Sequence, residues 1–374
     1  MEKLNKIYES IAKNKDRWSY YSNCDLEILG VWNDSDDALK FIKDYFEIGG
    51  KSCLSNFEDK DFEVKKRAKH TISTFLLGIK LAECLFDLSA NGCSRINNLN
   101  KDFYSAEGFN FKYFWFLSCL YHDIGYIYEN NNDEALLNDV KTEGLQHFIS
   151  DAEAGNICKT FDKSEVDLYL KGRAILGNDG KGCVDHGIYS GIKLYNRLKE
   201  QFDISFAMRT AESNNKSSFY INVKGRKLHV SDSHIKIYAQ VANAIIAHNI
   251  WIDTLNNYKQ FTNVEIARRD KINCKKDPLC FILCLADTLE PLKRCINLEC
   301  VKLGALPNER GISIVLEMDD CCSGYNQYVN GIKKLGDWLD VEVNLMSNIK
   351  SGAMEARGFK AEIVLKERGN SNRN

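Results

Sequence analysis

The sequence predicts a mainly α-helical protein that carries a β-hairpin insertion and ends in a small α+β segment. Two observations carry that reading. Apolar residues recur at helical spacing through most of the first 300 positions, and three prolines in 374 residues leave such helices largely uninterrupted. Alternation of period two is confined to residues 219–230 and to the chain beyond about 301. On this basis the chain divides into a helical extension over 1–55, a helical domain over 56–300 and an α+β segment over 301–374.

Residues 1–50 read as short helices broken near 33–36, where Ser35 or Asp36 is the expected N-cap of a helix with an Ala38, Phe41, Ile42 and Tyr45 stripe. A long amphipathic helix is expected over 58–89. On it His70 shares a face with Thr74, Leu77, Leu81 and Leu85, and so points inward. After a loop at NGCSRINNLNKD comes FKYFWFLSCLYHDIGYIY, apolar on every side, which should be buried and should carry His122 and Asp123 into the interior before closing at Gly125. ENNNDEALLND reads as a polar surface connection and residues 145–176 return to helical spacing. GNDGKG matches no phosphate-cradling glycine pattern and reads as a turn. Asp185 is then placed to cap a helix with His186 in its first turn and Ile188, Ile192 and Tyr195 on its buried side.

FYINVKGRKLHV alternates about Lys224-Gly225 and reads as a β-hairpin lying between two helices. Ser231 or Asp232 caps the second of them, where Val241, Ala244, Ile245 and His248 fall on one face. His229 and His234 lack such a face and are expected in solvent, while His147 carries no site argument. Pro278 opens a further helix as a favourable first residue, with Asp287 on the face of Cys280, Leu283 and Cys284. Beyond it GISIVLEM, DVEVNLM and GFKAEIVLKE alternate as strands about an amphipathic helix, YNQYVNGIKKLGDWL, and RGNSNRN is a frayed tail.

Composition removes some classes of function. With 50 basic and 52 acidic residues, a formal charge of -2, there is no polybasic footprint for non-specific duplex binding, although nucleic acid stays open as a partner. No run approaches the roughly 18 apolar residues of a membrane span, and residues 1–18 lack the apolar core of a secretory signal. A cytoplasmic protein with no membrane partner is therefore expected. Fourteen scattered cysteines without a CxxC pair fit that compartment, with Cys280 and Cys284 as core residues and the adjacent Cys321 and Cys322 as a redox candidate.

Six ionisable residues, His70, His122, Asp123, His186, His248 and Asp287, thus fall on five separately expected helix faces that should be buried. Each alone reads as an ordinary satisfied core residue; together they do not. A carboxylate among apolar side chains costs several kcal/mol unless it is paired or binds a metal, and imidazole is the commonest protein metal ligand. Mixed nitrogen and carboxylate ligands suit zinc, manganese, iron or nickel, with magnesium also admitted, whereas calcium prefers oxygen alone.

The order His, His-Asp, His, His, Asp resembles the extended, binuclear form of the HD superfamily of metal-dependent phosphohydrolases. KRAKHTISTFLLG, LYHDIGY, DHGIYSG, AIIAHN and LADTLEP are similar to that family's blocks, over about residues 60–300. The resemblance implies an HD-type helical bundle in which His70, His122, Asp123 and Asp287 hold one divalent metal and Asp123 bridges to a second held by His186 and His248. Two cations about 3.5–4 Å apart share a water, lower its pKa and clamp both oxygens of a phosphoryl transfer. Tyr126 stands where the cyclic-dinucleotide phosphodiesterase branch usually has lysine after HDIG, and a GYP string is absent, which tells against cyclic di-GMP. The stand-alone arrangement with a C-terminal α+β unit resembles bacterial HD proteins of nucleotide signalling and defence.

The expected activity is hydrolysis of a phosphorylated small molecule, a nucleotide or cyclic (oligo)nucleotide, by metal-bound hydroxide. Asp123 is its central carboxylate. Asp185, beside His186, would orient that ligand or relay a proton, helix capping being the simpler role. Lys193, two helical turns beyond His186, and Arg268, Arg269 and Arg294, flanking the Asp287 helix, are candidate phosphate clamps, each with a solvated surface charge as its plainer role. Two alternatives stand beside this: a di-iron oxygenase, since the branch typified by myo-inositol oxygenase shares the ligand order, and a non-catalytic nucleotide sensor. Homo-oligomerisation, the substrate and the physiological metal are left open.

Overall fold

The apolar segment becomes the axis around which the amphipathic helices pack. In this computed structural model the structure describes residues 1–21, 24–56, 65–86, 111–126, 148, 163–176, 185–210, 218–223, 226–231, 233–250, 254–256, 258–259, 270–308, 311–318, 324–347 and 359–365. Its helices are α1 (Leu4–Ala12), α2 (Lys15–Trp18), α3 (Ser35–Ile48), α4 (Ser52–Ser55), α5 (Lys65–Phe86), α6 (Phe111–Tyr121), α7 (Lys163–Leu176), α8 (His186–Thr210), α9 (Ser233–Ala247), α10 (Pro278–Leu289) and α11 (Tyr325–Trp338). The expectations placed on His147, Arg268, Arg269, Cys321 and Cys322 lie outside the described residues, as do the polar loops on either side of α6.

Every residue of α6 except Lys112 is buried, and α5, α8, α9 and α10 all touch it. Burial of one large apolar side chain is worth about 1.5–3 kcal/mol, so Phe114, Trp115 and Phe116, all fully buried, make α6 a principal source of stability for the bundle. The stripe of α3, Ala38, Phe41, Ile42 and Tyr45, is buried as expected, but the N-cap is Asp34 and not Ser35 or Asp36. Its carboxylate accepts from the backbone N–H of Asp36 (2.8 Å) and Asp37 (3.1 Å), which makes Ser35 the first helical residue. His234 is also a correction: it is buried in the first turn of α9, edge-on to Tyr238 at 6.0 Å between ring centroids. A neighbour one turn along the helix covers it.

The hairpin forms between β2 (Ser218–Val223) and β3 (Arg226–Ser231), in a register that ends on the pair Val223 and Arg226. A separate antiparallel sheet contains β1 (Glu2–Lys3), β4 (Val301–Asn308), β5 (Gly311–Met318), β6 (Val341–Ser347) and β7 (Phe359–Leu365), in the order β1-β4-β5-β7-β6. Two of these strands were not expected. Gly304 and Pro307 interrupt the alternation of VKLGALPN, yet Pro307 still pairs with Ile312 near the sheet's end, where a missing N–H is tolerated. β1 joins through Glu2 opposite Leu303, which ties the start of the chain to the C-terminal sheet. α11 packs on both β6 and α10, and the Tyr328 hydroxyl donates to the Leu289 carbonyl at 2.5 Å, so the sheet braces the end of the helix that carries Asp287. No helix among the described residues is long and apolar enough to cross a membrane.

Candidate metal centre

Two of the expected ligands sit immediately beyond helix ends, and that position explains their geometry. The last carbonyls of a helix lack intrahelical donors. His122 follows α6 and its Nδ1 lies 2.6 Å from the Cys119 carbonyl; His248 follows α9 and its Nδ1 lies 2.5 Å from the Ile245 carbonyl. A carbonyl only accepts, so Nδ1 is the donor in both rings and Nε2 keeps its lone pair. His70, in the second turn of α5, reaches the same state through a carboxylate, with Nδ1 2.6 Å from Glu290 Oε2. The Nε2 atoms of His70, His122 and His248 and Oδ1 of Asp123 are then buried without a hydrogen-bond partner. Four buried acceptors that converge without a donor suit a cation, and their nitrogen and oxygen chemistry fits a divalent transition metal.

All six expected ligands meet. His70, His122 and Asp123 form one group able to hold a metal ion, and Asp123, His186 and His248 form a second, each with its ligand atoms within 4.8 Å of one another. Asp287 Oδ1 adjoins the first group, 2.9 Å from His70 Nε2 and 3.6 Å from His122 Nε2. Asp123 faces both ways: its Oδ1 is 3.3 Å from His122 Nε2 and 3.7 Å from His186 Nε2, and its Oδ2 is 3.5 Å from His70 Nε2. Two glycines allow this closeness. A Cβ on Gly125 would lie 2.4 Å from the His186 carbonyl, and one on Gly187 would lie 2.9 Å from His248 Cε1.

Around the six is a shell in which the sequence reading gives a role to Asp185 alone. Arg67 donates to Asp123 Oδ2 at 3.3 Å and lies over the Tyr126 ring, 3.2 Å from its centroid, while Tyr126 stacks on His186 at 3.6 Å. Lys293 donates to both oxygens of Asp287 at 3.0 Å. Asn249 lies 3.2 Å from both ring nitrogens of His186 and donates to Asp185 Oδ2 at 2.8 Å. Asp185 Oδ1 accepts from the N–H of Gly187 and Ile188, so the cap is real, and its Oδ2 also accepts from the Tyr169 hydroxyl. Asp185 is thus linked to His186 through Asn249.

Two of the candidate clamps, Arg294 and Lys193, are among the described residues. Arg294 donates to the carbonyls of Thr288 and Glu290 and lies 5.6 Å from the Tyr328 ring, which makes it a brace between α10 and α11. The Lys193 ammonium is 5.7 Å from the Tyr189 ring, on a residue seven positions and so roughly 10 Å along α8 from His186.

The field is strongly positive at the carboxylates. Burial pushes the Asp123 carboxyl up, but His122, Arg67, Lys293 and His70 outweigh it and hold the group well below the usual carboxylate range. Asp287 is depressed likewise: burial is overcome first by Lys293 and then by its contacts with His122 and His70. Burial, with the neighbouring His122 and His186, brings His248 down to about 4, whereas for His70 the effect of burial is overcome by Asp287 and Glu290 and the pKa is raised. Burial also pushes the Tyr126 phenol up to about 12.

Comparison with protein-family models, with curated proteins and with solved structures finds no match to this chain.

Proposed function

We propose that this protein is a binuclear metal-dependent phosphohydrolase or phosphodiesterase acting on a nucleotide or cyclic nucleotide, within an HD-type helical bundle. The observation that carries the reading is the membership of Asp123 in both ligand groups. His70, His122, Asp123 and Asp287 would hold one divalent ion, and Asp123, His186 and His248 the other. When bound, such a pair supplies a hydroxide nucleophile at neutral pH and polarises the phosphoryl group.

The remaining work falls to the chain. The Nδ1 contacts of His70, His122 and His248 keep their Nε2 lone pairs turned inward. Asn249 steadies His186, and Tyr126, stacked between Arg67 and His186, fixes the plane of the guanidinium. Arg67 and Lys293 contact the carboxylates of Asp123 and Asp287. With two divalent ions bound those carboxylates are neutralised, and both cations are free to hold non-bridging phosphate oxygens. Two cations at the centre favour an anionic substrate over the alcohol that an oxygenase of the same ligand order would take.

The test is a panel of nucleotides and cyclic nucleotides with manganese-loaded protein under anaerobic conditions, read as released phosphate or nucleotide. Turnover is expected. A strict need for iron and oxygen with no such product would establish the oxygenase instead, and tight nucleotide binding without turnover the sensor.

A further inference from the structure

Glu290 is a fully engaged carboxylate beside the centre. It is wholly buried three residues after Asp287, where the chain leaves α10, and four donors converge on its carboxylate. Oε2 takes His70 Nδ1–H at 2.6 Å and the Lys293 N–H at 2.9 Å; Oε1 takes the Ser73 hydroxyl at 2.6 Å and the Leu292 N–H at 2.7 Å. Ser73 in turn lies 2.9 Å from the Tyr8 hydroxyl of α1.

We infer that Glu290 is a positioning residue that locks His70 in the Nδ1–H tautomer and holds Lys293 in place beside Asp287. The inference rests on the metal-centre reading above. His122 and His248 have their tautomers set by carbonyls of their own helices, which no side-chain substitution removes. His70 lies in a helix interior where the carbonyls are engaged, and on its own helix its Nδ1 has the Thr74 hydroxyl only at 3.5 Å, so the short contact at 2.6 Å comes from another element. Glu290 supplies it. The same oxygen that takes the imidazole proton takes the Lys293 N–H, so ligand and cation are referred to one atom. Carboxylates behind ligating histidines also raise ligand basicity, and their loss typically costs 10–100-fold in metal affinity.

Glu290→Gln makes this specific. If the amide oxygen keeps Ser73 and Leu292, the NH2 group faces the Nδ1 of His70 and the Lys293 N–H. A donor there drives the His70 proton onto Nε2, into the position where a metal must bind. The experiment is a long-range proton–nitrogen NMR spectrum of metal-free protein, at a pH that keeps the rings neutral, with His70→Asn for assignment and a zinc titration alongside.

In the wild type the His70 proton is expected on Nδ1. In Glu290→Gln it should move to Nε2, and one of two zinc equivalents should weaken by about 10–100-fold while the other is unchanged. An Nε2–H tautomer in the wild type overturns the inference, and that spectrum decides the matter even if the variant fails to fold. It is also overturned if Glu290→Gln folds, keeps the wild-type tautomer and binds both equivalents as tightly. A wild type that binds no zinc would instead remove the metal-centre reading itself.

Discussion

The two ligand groups that share Asp123 are built from different materials. The group of His70 and His122 adjoins a second ligand carboxylate, Asp287, a buried carboxylate on His70 and the ammonium of Lys293. The group of His186 and His248 has Asp123 alone for a carboxylate, and its imidazoles are steadied by neutral partners, Asn249 and the Ile245 carbonyl. The first arrangement is expected to hold a divalent ion more tightly than the second, because its two extra carboxylates outnumber the one ammonium that faces them. The difference teaches how one shared carboxylate would join a tighter site to a weaker one.

Occupancy gives the largest test of that asymmetry. His248→Ala is expected to reduce metal to one equivalent per chain with the tight binding phase intact. Asp287→Ala should remove the tight phase and leave at most weak binding. Calorimetric titration of both variants checks this, and equal losses of affinity would mean that the two halves are equivalent.

Lys293 probes the charged half through chemistry. Lys293→Met is expected to keep its metal and to lose about 10²–10³ in kcat on a phosphorylated substrate, the usual effect of removing one donor from developing negative charge. Steady-state kinetics with parallel elemental analysis measures it. A change confined to KM would make Lys293 a binding group only.

The smallest effect is one of pH on the metal-free protein. His248 has its pKa lowered to about 4 from an ordinary 6.5, so between those values the unfolded chain takes up the proton first and stability falls as pH falls. By pH about 5.5 the loss from this group is about 1 kcal/mol. His70, shifted upward, acts in the opposite direction: its contribution is present below about 6.5 and is lost as pH rises through its folded pKa. Denaturant unfolding across this range should show the acid-side slope reduced in His248→Gln. An unchanged slope would mean that His248 is not held neutral by its surroundings.

The six expected ligands were legible because His70, His186 and Asp287 lie on helices and His122, Asp123 and His248 directly follow apolar ones, and helical periodicity, which survives in a single sequence, fixes the inward side of each. The shell was less legible for a physical reason. Arg67 lies three residues before His70 on the same helix, but an arginine at the start of a helix reads as solvated until Asp123 is seen 3.3 Å away. Lys293 follows the end of α10, outside any periodic pattern, and only the turn capped by Glu290 brings it back to Asp287. Glu290 itself was within reach: it follows Asp287 by three residues, and so large a buried carboxylate needs several donors. β1 and β4 escaped because two residues are too short to alternate and because Gly304 and Pro307 broke the pattern of their strand.

In the proposed centre Asp123 belongs to two metal ions at once. Elemental analysis of reconstituted wild type and Asp123→Ala, each verified as folded, tests it most directly. Two ions per chain are expected in the wild type and none retained through desalting in the variant, because both groups lose their common ligand. Full occupancy in Asp123→Ala, or a wild type that takes up no metal, would contradict it.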